Sequence, residues 1–152
     1  MKEILIGRET ETAKLTSYLS SERSEFIAVY GRRRVGKTFL VRKVCEERFS
    51  FYVTGMYNAT KTDQLTNFAL VVQQYFHTEN INVKKSWLLA FNELAGHIEK
   101  LPKGRKVIFI DELPWMDNAK SGFIPALENF WNSWASLRDD VKLIVCGSAT
   151  SW

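Results

Sequence analysis

Short unbroken apolar runs alternate along this chain with longer stretches in which apolar residues return every three or four positions. Four runs, at 26–30 (FIAVY), 49–54 (FSFYVT), 107–110 (VIFI) and 143–146 (LIVC), are rich in β-branched or aromatic residues, the composition of strands covered on both faces. Helical period predicts helices over 10–19, 37–47, 62–76, 86–100 and 123–137. The segment 62–76 aligns Leu65, Phe68, Ala69, Val72 and Phe76, and 86–100 aligns Leu88, Phe91, Leu94, Ala95 and Ile98. The last places Phe123, Leu127, Phe130, Trp131 and Trp134 on one side. Such stripes read as core packing against a sheet, with a partner-binding face as the alternative for Trp131 and Trp134. Strands alternating with helices predict an α/β domain with a parallel sheet.

With 152 residues, 45% hydrophobic and 25% charged, the chain has the size of one domain, 1–152, and a composition that argues against disorder. No apolar stretch is long enough to cross a bilayer, and MKEILIGRETE lacks the apolar region and cleavage site of a signal peptide. Cys45 and Cys146 form no disulfide framework and have no neighbour at metal-ligand spacing. They are expected to be buried thiols in a reducing, cytoplasmic setting. Net charge is +4, a mild bias that proves no acidic partner. The densest basic run, Arg32-Arg33-Arg34, falls inside the loop considered next, so it is not separate evidence for nucleic acid.

Residues 31–38, GRRRVGKT, match G-x-x-x-x-G-K-[ST] without a departure, between a predicted buried strand and a predicted helix. That order is what phosphate binding needs. Successive backbone N–H groups form an anion nest, and the following helix adds unpaired donors and the positive end of its dipole. Gly31 and Gly36 permit close backbone approach, Lys37 reaches the β- and γ-phosphates, and the Thr38 hydroxyl completes a Mg²⁺ shell. The expected nucleotide-binding segment comprises Gly31, Arg33, Arg34, Val35, Gly36, Lys37, Thr38 and Phe39. The backbone does the cradling, so the Arg32, Arg33 and Arg34 side chains are expected to form a solvated rim.

A second signal is KVIFIDE at 106–112. Buried strands rarely end in two carboxylates without a use for them, and ligands of open parallel sheets sit beyond the carboxyl ends of the strands. Alternation along the pleat separates the roles: Asp111 joins Thr38 as a metal residue, and Glu112 polarises an attacking water. The plain alternative is a solvated turn before Pro114. A weaker third signal is Ser148, or Thr150, after the run at 143–146, as a γ-phosphate sensor or an ordinary turn residue.

Taken in order, ILIGRETE, AVYGRRRVGKTFLVRK, FIDELPWM and LIVCGSATSW resemble the archaeal-type ATPase family, in the STAND branch of P-loop ATPases near the AAA-like proteins. The resemblance implies a P-loop NTPase three-layer sandwich with a mainly parallel sheet, the acidic strand lying beside the loop strand. It implies ATP and Mg²⁺ as cofactors, Glu112 and Lys37 as catalytic residues, Ser148 as sensor, and Ile6, Gly7 and Arg8 near the adenine. Family members continue into a fifth core strand, a helical lid and commonly a winged-helix domain, so the chain looks like an N-terminal part, truncated before these. The strand at 26–30 is then expected to be an exposed apolar edge, prone to self-association. DNA contacts are expected only through the absent parts, and no membrane contact is expected. Arg138 is the one candidate for a sensor arginine, and without such a cation turnover is expected to be slow. The implied activity is Mg²⁺-dependent ATP binding with slow hydrolysis acting as a conformational switch. The alternatives are a nucleotide-gated binding module without turnover and an initiator-like DNA-handling ATPase. No N-K-x-D guanine motif is present, although preference for ATP over GTP stays open.

Overall fold

A computed structural model describes residues 1–5, 10–31 and 36–148 of the chain. Five strands form one sheet: β1 (Lys2–Leu5), β2 (Glu25–Gly31), β3 (Phe51–Thr54), β4 (Lys106–Asp111) and β5 (Val141–Ser148). Their order is β1-β2-β5-β4-β3, and every pairing is parallel. The helices are α1 (Glu11–Ser20), α2 (Lys37–Val44), α3 (Lys61–Phe76), α4 (Trp87–Glu99), the short α5 (Leu113–Met116) and α6 (Phe123–Ser133). A 3₁₀ turn, Ala135–Leu137, precedes β5.

The pleat sorts the apolar residues into two layers. Ile27 and Val29 of β2, Val107 and Phe109 of β4, and Ile144 and Cys146 of β5 pack with Leu15 and Leu19 of α1 and Val41 of α2. Their neighbours Ala28, Ile108, Ile110, Leu143 and Val145 face the opposite way, against α3, α4 and α6. All six residues of β4 are buried, as a strand covered on both faces requires. The result is the three-layer α/β arrangement expected.

Two expectations about the sheet are corrected. The acidic strand β4 is not beside the loop strand β2, because β5 lies between them. Nor is β2 an open edge: β1 pairs with it from Lys2↔Ile27 to Leu5↔Tyr30. The premise for self-association through an exposed β2 therefore falls away. The signal of β1 was weak because KEIL has two charged residues, both exposed, as edge strands commonly do.

Helix ends follow local chemistry. Thr60 and Ser86 cap α3 and α4, their side-chain oxygens accepting from the backbone N–H of Asp63 and Leu89, as N-caps do. The expected helix 37–47 stops at Val44, and Glu46 and Glu47 take left-handed φ of 55° and 60°, which no right-handed helix continues. The expected helix 123–137 breaks at Trp134, whose φ is −134°.

Candidate functional site

The carboxyl end of β2 delivers Gly31, and α2 opens at Lys37. Gly36 caps α2 with φ 85° and ψ 26°. A Cβ there would meet nothing within 4 Å, so glycine is needed for its backbone conformation rather than for space. Lys37 is buried, and its Nζ donates to the Gly31 carbonyl at 3.2 Å, which turns the ammonium back across the start of the loop.

The decisive contact joins residues far apart in sequence. The Thr38 hydroxyl donates to Asp111 Oδ2 at 2.6 Å. The pleat explains how they meet. Asp111 has the same parity as Val107 and Phe109, which pack on the α1 and α2 side, so its carboxylate projects toward the start of α2. Only 4% of Asp111 is exposed, and its other oxygen accepts the Glu112 N–H at 2.9 Å. Lys37, Thr38 and Asp111 are thus brought together at one end of the sheet.

Glu112 lies just beyond the strand and takes φ 54° and ψ 43°, capping α5. Its separation from Asp111 therefore comes from a left-handed turn and not from the pleat. Gly55, after β3, donates its N–H to the Asp111 carbonyl at 2.8 Å. A Cβ on Gly55 would lie 2.4 Å from the Glu112 carbonyl oxygen, so this close approach requires glycine. Gln64 of α3, with no exposed surface, bonds to Met56 and to Trp115. The Tyr57 and Trp115 rings meet edge to face at 5.4 Å. Sequence reasoning missed Gly55 and Gln64. The available signal was a glutamine in helical step with Phe68 and Val72, positions 64, 68 and 72 sharing a buried face.

Cys146 is wholly buried. Burial raises its thiol pKa most, and the neighbouring Asp111 charge raises it further; burial likewise pushes Cys45 up to about 11. Both are free. Arg138 is a correction. It precedes β5 at the opposite end of the sheet and is bound to Asp140 through two hydrogen bonds of 2.9 and 2.8 Å, so it is not a sensor arginine for this chain's own loop. Trp131 packs on Phe26 and Trp134 on Phe130, which places both rings against the core.

Ser148 pairs through its backbone with Gly31 in the β2–β5 register, and nothing further is described of it. Arg33, Arg34 and Val35 of the loop, Ile6, Gly7 and Arg8 of the opening segment, and Thr150 lie outside the described residues. A cavity of about 510 Å³ flanks Gly36 between α1 and α2, lined by Glu11, Thr12, Thr16, Phe39 and Lys43 among others. Phe39 is exposed beside it. Among the described residues no helix is long and apolar enough to cross a membrane.

A family model for an ATPase domain predominantly from Archaea matches residues 5–152. An uncharacterized protein of Methanocaldococcus jannaschii is 30% identical over 148 residues, which is 97% of this chain and 30% of that protein. A solved Walker-type ATPase of Pyrococcus abyssi aligns with a TM-score of 0.58 at 20% identity, over 93% of this chain and 45% of that one. The chain therefore spans less than half the length of either protein.

Proposed function

Because this chain belongs to the ATPase-domain family found predominantly in Archaea, we propose that it binds Mg²⁺·ATP and hydrolyses it slowly, the bound nucleotide acting as a conformational switch. The observation that carries this reading is the 2.6 Å bond between Thr38 and Asp111. A hydroxyl and a buried carboxylate at that distance form a hard oxygen pair, the donor type Mg²⁺ prefers. Magnesium needs few protein ligands because waters and substrate phosphates fill the rest of its shell. Thr38 and Asp111 are the residues that would hold it. When bound, it neutralises charge on the phosphates.

The remaining work belongs to the chain. Lys37 supplies a positive charge at the loop, and the N-terminal N–H groups of α2 supply donors. Glu112 orients and deprotonates a water aimed at the terminal phosphate. The cavity between α1 and α2 offers room beside Gly36 for the nucleoside. The STAND and AAA-like affinity, and the sensor role of Ser148, belong to the same proposal.

Calorimetric titration of ATP, ADP and GTP tests it. Mg²⁺·ATP is expected to bind, and Lys37→Ala to weaken binding by roughly 2–5 kcal/mol, the scale for removing one partner of a charged contact. Glu112→Gln is expected to keep binding while phosphate release falls about 10²–10⁴-fold, the scale of general-base catalysis. Absent phosphate release in the unaltered chain at saturating Mg²⁺·ATP would leave a nucleotide-gated binding module instead. Unchanged affinity in Lys37→Ala would overturn the site itself.

A further inference from the structure

We propose that Gln64 is a positioning residue for the carboxylate of Glu112, acting through the turn that carries it; the inference rests on Glu112 being the water-activating group. Gln64 stands in the first turn of α3 with its side chain fully buried. A buried primary amide needs partners, and this one has three. Met56 N–H donates to Oε1 at 3.0 Å, while Nε2 donates to Met56 O at 2.7 Å and to Trp115 O at 3.0 Å. Both amide hydrogens are used. Only one orientation of the amide works, because a flipped one would set its oxygen against two carbonyls. The side chain thus fastens the segment after β3 and the turn after β4 to the same helix.

That turn has little freedom of its own. Glu112 is a non-glycine residue at φ 54°, a conformation that persists where surroundings impose it. Asp111 Oδ1 holds its N–H. Its carbonyl accepts from Trp115 N–H at 3.0 Å and rests against the bare Cα face of Gly55. Gln64 closes the circuit: by fixing Trp115 O and the Met56 backbone together, it sets the separation of Gly55 from the turn. No part of Gln64 is exposed to meet substrate, so its influence on hydrolysis runs through the placement of Glu112.

The test compares the full chain with Gln64→Met, which keeps length and volume but removes all three bonds. Misplacement of about 1 Å at a reacting group costs on the order of 10²-fold in rate. We therefore expect kcat for ATP hydrolysis to fall about 10- to 100-fold, with calorimetric Mg²⁺·ATP affinity within about threefold. Gln64→Met added to Glu112→Gln should lower the residual rate no further, because both act on one group. A multiplicative loss, an unchanged kcat, or a parallel loss of affinity would overturn the proposal. Hydrogen exchange supplies a readout independent of turnover: the amides of Leu113, Trp115, Met116 and Asp117 should exchange faster in Gln64→Met, with β4 amides unchanged. Equal exchange in the two proteins overturns the proposal even if the unaltered chain hydrolyses nothing, a result that would instead count against the ATPase reading. Should Gln64→Met not fold, Gln64→Glu keeps the side chain's shape, sets a carboxylate oxygen against the Met56 and Trp115 carbonyls in place of two donated bonds, and carries the same expectations.

Discussion

Asp140 holds two cations at the amino end of β5. Its oxygens accept from Arg138 at 2.9 and 2.8 Å and from Lys106 at 3.1 Å. The Arg138 hydrogen bonds do most to hold its carboxyl below the ordinary range, with Lys106 adding to them against the opposing effect of burial. A carboxylate whose folded pKa is depressed contributes stability above its unfolded pKa of about 3.9 and loses it as pH falls through the folded value. Asp140→Asn should therefore lower the melting temperature at pH 7 and flatten its decline below about pH 4. Thermal melts from pH 7 to pH 3 check this; parallel curves for both proteins would refute it. Nothing in the sequence announced this cluster. Arg138 stood as a candidate for the nucleotide site because an arginine's partner depends on which end of the sheet it reaches. Lys142 was equally opaque: it sits inside an apolar strand, yet its Nζ donates to Ser21 O and Ser21 Oγ at 2.9 and 2.8 Å and also to Arg23 O.

At the scale of elements, α3, α4 and α6 cover one face of the sheet through an aromatic cluster centred on Phe91. Its ring lies 5.6 Å from Phe68, 5.8 Å from Phe123 and 5.1 Å from Phe130, centroid to centroid. Truncation at such a site removes burial and leaves a void, so Phe91→Ala should cost about 3–5 kcal/mol. Urea unfolding followed by circular dichroism measures it, and a loss under about 1 kcal/mol would show that the core closes over the gap. These helices were legible because their apolar period is regular. Their ends were less so. Left-handed backbone at Glu46 and Glu47 and the break at Trp134 depend on packing around them, which no residue type there announces. Gln64 has a related lesson: a polar residue on a buried helical face is visible in the sequence, but its partners on two loops are not.

At the scale of the molecule, the strand order decides which groups can meet. The G-x-x-x-x-G-K-[ST] match identified the phosphate loop, and a buried apolar run ending in two carboxylates identified the Asp-Glu strand tip. Neither could tell that β5 separates them, since pairing order is a property of the whole sheet. Nor did either reveal β1, a four-residue edge whose charged side chains hide its strand character. The meeting of Thr38 and Asp111 survives this rearrangement because α2 packs on both β2 and β5, on the sheet face that Asp111 shares with Val107 and Phe109. The most direct test is calorimetric ATP affinity with and without Mg²⁺, for the unaltered chain and for Asp111→Asn. The account predicts that magnesium strengthens binding at least about tenfold, or ~1.4 kcal/mol, in the former. Most of that gain should vanish in the variant, while magnesium-free binding stays. An equal gain in both proteins would contradict it.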